Sequence, residues 1–275
     1  MDISIQHIAP HPSLRGIVDR LCVVESSGRM PDEDAKLIVP NGMAKLIIPF
    51  RNGLIGKYDD WLCTSKESSI TLVGLSDVAA IVDIEQDAPH GSITVEFNPA
   101  GAYRLFNLRQ ADLKNRIYLL EDLLGKTARQ LQERVLNAVS ITDKICLVQE
   151  YLISRLSTSG VDAILDYCVQ TIQSSRGLIT VMQLEKKTGY SSRWLNEKFT
   201  EKVGLSPKAL SAVMRFMEFY KEWARHPQKG FYKNNVYDYF HDQAHFIKDF
   251  KRFTGLSPDK FAGINNEFGR SFYRE

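Results

Sequence analysis

A nine-residue pattern occurs twice in the C-terminal part of the chain, 51 residues apart. Residues 199–207 read FTEKVGLSP and residues 250–258 read FKRFTGLSP, with Phe, Gly, Leu, Ser and Pro in the same register. A solenoid needs about three repeats or more, so two copies indicate a duplicated module rather than a repeat array. Five identities in nine positions argue against a chance match of two helix ends. We therefore expect two copies of one small helical unit.

Helix start and stop signals precede the first copy. Thr180–Gln183 has the Thr-x-x-Gln pattern of a capping box, and Gly189 fits the position just after that helix ends. Ser191 can cap a following helix, with Leu195 and Phe199 four residues apart on one face. A helix, a short turn containing glycine and a second helix form the helix-turn-helix unit. We predict this unit for the first copy.

The second copy carries similar signals. Asp242 can cap a helix that Gly255 ends, and three phenylalanines share its apolar face: Phe246, Phe250 and Phe253. Between the two copies, apolar residues recur at helical spacing and predict a long connecting helix: Leu210, Val213, Met217, Tyr220 and Trp223. Arg215 lies on this helix, and we expect it to brace the two units.

Both copies resemble the C-terminal DNA-binding domain of the AraC/XylS family of bacterial transcriptional regulators. The resemblance is strongest at Asp242–Phe246, which reads DQAHF, and at Thr254–Pro258, which reads TGLSP. It implies that residues 160–275 form an all-α domain with two helix-turn-helix units joined by a long helix. The sequence departs from the family pattern at Asn234–Asn235 and Tyr239, where small and apolar residues and a glycine are usual. That departure leaves the docking of the second unit open.

Charge is divided unevenly along the chain. Residues 171–275 hold 18 Lys and Arg against 11 Asp and Glu, a net charge of +7, which leaves −5 for residues 1–170 of a chain whose total is +2. A basic half joined to an acidic half favours a part that binds nucleic acid and a part that does not. No apolar run approaches the length of a membrane span and no signal-peptide pattern begins the chain. We expect a cytoplasmic protein with no membrane partner.

Motifs of catalytic and metal sites do not occur in the sequence. The four cysteines are scattered without a Cys-x-x-Cys pair: Cys22, Cys63, Cys146 and Cys168. The histidines of the N-terminal half form no His-x-His pair of the kind a metal-binding cupin needs: His7, His11 and His90. No Gly-x-Ser-x-Gly elbow, P-loop or His-Glu-x-x-His motif is present. We therefore predict no enzymatic activity, no metal and no cofactor.

The N-terminal part has the pattern of β-strands. Ile93–Phe97 alternates apolar and polar residues with period two, while Leu46–Phe50 and Ile81–Glu85 are rich in β-formers. Asn52–Gly53 lies between such runs and is typical of a hairpin turn. We predict that residues 1–108 form an antiparallel barrel or sandwich, similar to the sensor domains of the resembled family.

A sensor domain of this kind implies a small organic effector bound among apolar strand residues. Three large aromatic residues in or beside the β segments are candidates for the ligand site: Trp61, Phe97 and Tyr103. Core packing is the simpler role for each of them.

Residues 109–158 predict a helical linker between the two halves. Apolar residues recur there at helical spacing, as in Ala128, Leu131 and Val135. Such a stripe either packs against its own β domain or, as often in the resembled family, pairs two subunits into a homodimer. Ser157–Gly160 is small and polar and is expected to be the interdomain linker.

The way helix-turn-helix units dock assigns the side chains that would contact DNA. The second helix of each unit presents its N-terminal residues to base edges in the major groove. Outward positions of the first unit are candidates for base contacts: Ser192, Arg193, Asn196 and Glu197. Those of the second unit are Gln243, His245 and Lys248. Four further cations are predicted phosphate contacts: Lys198, Lys202, Lys251 and Arg252.

The sequence as a whole therefore predicts a transcription regulator that binds promoter DNA in a sequence-specific way and works with RNA polymerase. It would act as a homodimer or as a monomer on adjacent half-sites, under control of an effector or of dimerisation. An alternative is an interaction protein with weakened DNA binding that acts through protein partners. A third interpretation is a ligand-binding or enzymatic β domain to which DNA binding is secondary.

Overall fold

The computed structural model describes residues 3–29, 31–59, 61–156, 162–227, 231 and 236–273. The described residues form ten strands: β1 (Ile3–Ile8), β2 (Val18–Ser26), β3 (Leu37–Ile38), β4 (Lys45–Arg51), β5 (Leu54–Tyr58), β6 (Trp61–Ser65), β7 (Thr71–Val73), β8 (Ala80–Ile84), β9 (His90–Phe97) and β10 (Ile117–Leu119).

The same residues form thirteen α-helices: α1 (Gly101–Phe106), α2 (Gln110–Leu113), α3 (Leu120–Leu124), α4 (Lys126–Asn137), α5 (Ile141–Ser154), α6 (Ala163–Ser174), α7 (Val181–Thr188), α8 (Ser192–Lys202), α9 (Pro207–Arg225), α10 (Val236–Tyr239), α11 (Gln243–Thr254), α12 (Pro258–Ala262) and α13 (Glu267–Ser271).

The strands make two antiparallel sheets that face each other. One has the order β1-β2-β9-β4-β7-β10 and the other has the order β3-β8-β5-β6. The predicted fold class, an antiparallel N-terminal β domain and a helical C-terminal part, is confirmed. Of the two predicted forms of the β domain, the sandwich is found, since the two sheets that the described residues form do not close into a barrel.

Asn52 does adopt the left-handed conformation of a turn, with φ 57°. The strands that this turn joins nevertheless enter different sheets, because β4 pairs with β7 and β9 while β5 pairs with β6 and β8. The prediction of a hairpin at this turn was therefore wrong. The turn instead carries the chain from one layer of the sandwich to the other.

A helical layer covers the outer face of the six-stranded sheet. Buried residues of α4 and α5 share one core with the outward side of β4 and β9: Ala128, Leu131, Val135, Ile145, Val148, Leu46, Ile48, Ile93 and Val95. The apolar stripe of the predicted linker is thus used against the chain's own sheet. Within that predicted 109–158 segment, β10 also pairs with β7 as an edge strand.

The duplicated Gly-Leu-Ser-Pro sequence is explained by what each residue does at a helix end. Gly204 and Gly255 have φ of 89° and 77°, in the left-handed region that ends a helix without a side-chain clash. Ser206 then accepts a hydrogen bond from the backbone N–H of Ala209, and Pro207 occupies the first turn of α9. Ser257 caps α12 in the same way. The repeat is a helix exit joined to a helix start.

Two helix-turn-helix units flank the long helix α9. In the first unit the capping box forms as predicted, since Thr180 Oγ1 accepts from the backbone N–H of Gln183 at 3.2 Å and Gln183 Oε1 accepts from that of Thr180 at 2.8 Å. In the second, Asp242 caps α11. Aromatic rings fill the core between the units and α9: Phe216, Phe219, Phe246, Phe250, Phe253 and Phe261. The predicted linker 157–160 and Asn234–Asn235 lie outside the described residues.

Candidate nucleic-acid interface and sensor cavity

The outward face of α8 carries the first set of predicted base contacts. Leu195 and Phe199 are 1% and 0% exposed, so they face the core and turn the polar residues outward. The side chain of Arg193 is 89% exposed. Its Nε lies 3.1 Å from Oε1 of Glu197, one helical turn further along α8, and forms an ion pair with it. Such an exposed pair is worth little, at most about 1 kcal/mol, so DNA can separate it. Asn196 is exposed on the same face and Ser192 is half-buried beside it.

An aromatic ledge that the sequence analysis missed lies beside this face. Tyr190 stacks on Trp194 with 4.2 Å between ring centroids, and Lys198 Nζ lies 5.9 Å from the Trp194 ring. The only sequence signal was the pairing of two aromatics four residues apart across a turn. The ledge holds Lys198 at the rim of the predicted interface.

The outward face of α11 differs because one of its predicted base contacts is partly built into the core. Gln243 and Lys248 are exposed. His245 Nε2 lies 3.2 Å from Asp249 Oδ2, and Arg215 Nη2 lies 3.2 Å from the same oxygen. Arg215 also donates to the carbonyl of Gly177 at 3.1 Å. Arg215 on α9 thus links α11 of the second unit to the turn between α6 and α7 that leads into the first unit, and His245 supports that link.

Two of the four predicted phosphate contacts form close ion pairs with other elements of the chain, whereas Lys198 lies 3.9 Å from Glu201 on its own helix. Lys202 Nζ donates to Asp162 Oδ2 at 2.7 Å. Burial lowers the pKa of Lys202, but the hydrogen bond to Asp162 and the nearby negative charges together outweigh it, and the pKa lies above its ordinary value. Arg252 Nη2 donates to Asp77 Oδ2 of the β domain at 2.6 Å. Lys202 and Arg252 are therefore both paired with carboxylates of the chain, whereas Lys251 is exposed.

Asp77 is the point at which the second unit is tied to the sandwich. Its side chain is 7% exposed and also receives Lys114 Nζ at 2.9 Å and Asn115 Nδ2 at 3.0 Å. Burial raises the pKa of Asp77, but the hydrogen bonds from Asn115, Lys114 and Arg252 together hold it below its ordinary value. The carboxylate thus stays ionised and holds Arg252.

Asp77→Asn is expected to strengthen DNA binding about fivefold, because a partly exposed ion pair is worth about 1 kcal/mol and its loss releases Arg252 for a phosphate. Fluorescence anisotropy with a labelled DNA duplex measures the change. Asp112→Asn, which removes the same charge from an exposed residue of α2, is the control. An equal gain in the control would mean that lowered negative charge alone, and not the release of Arg252, strengthens binding.

A cavity of about 130 Å³ lies between the two sheets. Its walls include the residues of β9 that alternate with the apolar core positions: Ser92, Thr94 and Glu96. The alternation in Ile93–Phe97 was expected to mark a half-buried strand. Both faces of β9 are in fact enclosed, because the apolar face meets the helical layer and the polar face meets the cavity.

A buried charge network forms one part of the cavity wall. Glu96 is 4% exposed. Its carboxylate receives Lys45 Nζ at 2.7 Å, Arg20 Nη2 at 2.8 Å and Asn41 Nδ2 at 3.2 Å. Burial would raise the pKa of Glu96, but the charges of Lys45 and Arg20 outweigh it and lower the pKa to about 2. The network is therefore charged at neutral pH.

A neutral histidine forms another part of the wall. Burial is the main cause that lowers the pKa of His90 to about 4. Its Nδ1 lies 3.2 Å from the carbonyl oxygen of Asn52, which can only accept, so Nδ1 carries the proton. Nε2 then accepts from Ser92 Oγ at 3.0 Å.

The three aromatic residues predicted for the ligand site do not line this cavity. Phe97 is fully buried on the opposite face of β9, where its ring meets Phe106 edge to face at 5.8 Å. Trp61 Nε1 donates to the carbonyl of Ile117 at 2.7 Å. Tyr103 lies on α1 with Lys202 Nζ 5.4 Å from its ring centroid. All three residues thus make packing contacts or hydrogen bonds within the chain.

Two properties of the described part of the chain bear on its class. No group of three or more His, Cys, Asp or Glu in it is arranged to hold a metal ion. None of its helices is both long and apolar enough to cross a membrane.

Comparison with known proteins gives few matches by sequence and several by fold. A domain of unknown function, DUF6597, matches residues 6–118, from β1 into β10. No curated protein sequence matches the chain.

Solved structures of transcription regulators are similar in fold. ToxT from Vibrio cholerae has 13% identity and a TM-score of 0.45, over 87% of this chain and 97% of ToxT. ToxT from Vibrio cholerae strain SCE256 with bound unsaturated fatty acid has 9% identity and a TM-score of 0.45, over 96% and 95%. The AraC-like transcriptional activator CuxR has 12% identity and a TM-score of 0.26, over 72% and 79%. At these values the likenesses carry no argument about function.

Proposed function

We propose that the chain is a sequence-specific DNA-binding transcription regulator of the AraC/XylS type, in which the sandwich cavity binds a small effector. The observation that carries the proposal is the pair of helix-turn-helix units fixed on α9, each with a polar exposed face on its second helix. Promoter DNA and RNA polymerase are the partners that such a regulator requires. Base contacts are proposed for Arg193, Asn196 and Glu197 of α8, and for Gln243 of α11.

The proposal is supported by a difference among the cations of these helices, since only some of them form close ion pairs with other elements of the chain, and Lys198 lies 3.9 Å from Glu201 of its own helix. Lys198, Lys248 and Lys251 belong to the two helices that would lie in neighbouring stretches of the major groove. Lys202 and Arg252 belong to the same helices but are paired with carboxylates. The proposal therefore includes a resting arrangement in which part of the DNA-binding charge is held by the chain itself.

Arg193→Ala is expected to weaken binding to a preferred DNA site by about 1–3 kcal/mol and to relax the preference at one base pair, because arginine can bond guanine O6 and N7 together. Dissociation constants on a site selected from random duplexes, and on unselected duplexes, measure both effects.

Arg129→Ala is the matched control for this experiment. Arg129 lies on α4, is 67% exposed and is paired with Glu121, much as Arg193 is paired with Glu197. Its loss should leave both dissociation constants unchanged. If Arg193→Ala weakens binding equally on selected and unselected DNA, Arg193 contacts a phosphate and does not read a base.

A second candidate function, an interaction protein with weakened DNA binding, is favoured by the internal pairing of Lys202 and Arg252. It predicts that no duplex selected from random or genomic fragments binds more tightly than the bulk. A gel-shift assay on such fragments separates the two functions.

A further inference from the structure

The cavity in the sandwich has a wall that comes from the far end of the chain. Phe268 of α13 and Phe272, the residue just after this helix, line it together with residues of both sheets. The two rings meet edge to face with centroids 5.2 Å apart, and Phe268 is 7% exposed. Helix α13 follows the second helix-turn-helix unit directly through α12. The cavity is thus built jointly by the β domain and the half that carries the two units.

Side-chain to backbone hydrogen bonds fix this helix to the β domain. Asp34 Oδ2 accepts from the backbone N–H groups of Glu267 and Phe268 at 2.8 and 3.2 Å, at the start of α13. Asn266 accepts from the backbone N–H of Leu37 at 2.8 Å and donates to its carbonyl at 2.9 Å. These bonds join residues 229 to 234 positions apart in the sequence.

Close backbone packing completes the attachment. A Cβ atom on Gly269 would collide with the carbonyl oxygen of Leu37, so only glycine allows α13 to approach β3 this closely. Tyr273, which is buried, donates its hydroxyl to the carbonyl of Val39 at 2.9 Å. The helix therefore has one defined seat over the cavity.

The polar groups of the wall are already paired with one another. Glu96 holds Lys45 and Arg20, and the hydroxyls of Ser65 and Thr71 are hydrogen-bonded together. An anionic ligand would have to displace the carboxylate of Glu96 and lose its own hydration in a mostly apolar space, which is unfavourable. The lining therefore favours an uncharged molecule.

The size of the cavity and the hydroxyl of Thr94 limit the class of ligand further. A dry apolar cavity of about 150 Å³ is large enough for benzene, so the volume of about 130 Å³ here fits one ring with at most a small substituent. Thr94 lines the cavity, and among the described residues its hydroxyl has no hydrogen-bond partner. It can bond one polar group of a ligand.

We propose that the cavity binds an uncharged, largely apolar molecule of about the size of one ring, which carries at most one hydrogen-bonding group and which Phe268 and Phe272 cover from the DNA-binding half. The proposal rests on the proposed function, since it names the class of effector and the element that responds to it. A ligand that contacts α13 binds more tightly when α13 is seated, and so favours the seated arrangement.

Titration calorimetry on the full chain with three probes tests the ligand class. Toluene and benzyl alcohol should bind, and benzyl alcohol should bind more tightly because its hydroxyl can reach Thr94. Benzoate should bind at least about tenfold more weakly than toluene, because no group of the cavity wall is free to pair with its charge. Tightest binding by benzoate would overturn the uncharged class, and no binding by any probe would overturn the site.

Variants test the shared wall. Phe272→Ala should weaken toluene binding about tenfold, and Phe272→Leu should recover most of it. Ala80→Leu, which adds carbon atoms to the part of the wall formed by β8, should abolish binding. Leu62→Ala, on the outer face of β6 and 63% exposed, is the control and should leave affinity unchanged. Unchanged affinity in Phe272→Ala would remove α13 from the site.

Hydrogen exchange tests the coupling without any substitution. The backbone N–H groups of Glu267 and Phe268 donate hydrogen bonds to Asp34 when α13 is seated. Their exchange rates therefore report whether α13 is seated. At toluene about ten times its Kd, their exchange should slow about tenfold, while unchanged rates would contradict the coupling.

DNA binding measured on the same samples separates this proposal from the proposed function. If toluene binds but no DNA does, the site stands and the regulator does not. If DNA binds but none of the three probes does, the regulator stands and the site does not.

Discussion

Replacing Glu96 with glutamine is expected to lower the free energy of unfolding by about 3–5 kcal/mol at neutral pH, because it leaves Arg20 and Lys45 without their counter-charge in the wall of the cavity. Glu96 is 4% exposed, so water screens the lost interaction little. Urea unfolding of the two proteins measures the difference. Glu25→Gln is the control, since Glu25 is on β2 and pairs with Arg51 at the surface. That exposed pair should contribute at most about 1 kcal/mol.

The effect of Glu96→Gln should also depend on pH. The folded-state pKa of Glu96 is lowered to about 2 from an ordinary value of 4.5. A lowered pKa contributes stability that is fully present above the unfolded value and is lost as pH falls through the folded value. The difference between the native chain and Glu96→Gln should therefore be constant above about pH 5 and shrink towards about pH 2. A difference that does not change over this interval would show that the carboxylate is not held by its two cations.

Local signals in the sequence predicted the C-terminal half well. The capping box at Thr180, the caps at Ser191 and Asp242, and the helix ends at Gly189 and Gly255 are all formed as predicted. Each depends on residues within four positions of one another, so the sequence contains the whole interaction. The repeated Gly-Leu-Ser-Pro sequence is a further example of a local signal, because in both copies it ends one helix and begins the next.

Contacts between distant residues could not be predicted in the same way. The hydrogen bond from Arg252 to Asp77 joins residues 175 positions apart. The hydrogen bond between Leu37 and Asn266 joins residues 229 positions apart. Spacing along the chain carries no information about such pairs. The prediction that Arg252 contacts phosphate took account of its helix face but not of the acidic β domain beside it.

The cavity shows a different limit of sequence reasoning. An alternating strand normally predicts one buried face and one face in water, and Ile93–Phe97 was interpreted in that way. Thr94 and Glu96 instead face an enclosed cavity under a second sheet. Trp61, Phe97 and Tyr103 do not line this cavity, and Phe97 packs on the other side of the sheet. The cavity side of β9 carries small and polar residues, which leave the space open.

DNA binding by the full chain is expected to weaken about 150-fold between about 50 and about 200 mM salt. Each phosphate that a cation neutralises steepens the fall of log affinity with log salt by about 0.9. The four predicted phosphate contacts, Lys198, Lys202, Lys251 and Arg252, together give a slope of about −3.6, and a fourfold rise in salt then gives this loss. Fluorescence anisotropy over the salt series measures the slope.

The value of that slope also reports the state of the two internal ion pairs. If Lys202 and Arg252 stay bonded to Asp162 and Asp77 in the complex, only two contacts remain and the loss falls to about 12-fold. Lys251→Ala should reduce the slope by about 0.9, while Lys57→Ala, exposed on β5 of the sandwich, should not change it. A slope near zero would mean that the basic half, with its net charge of +7, does not bind the DNA backbone. Because Asp77→Asn should move an intermediate slope towards the steeper value, the two measurements together tell whether the sandwich holds back the second helix-turn-helix unit.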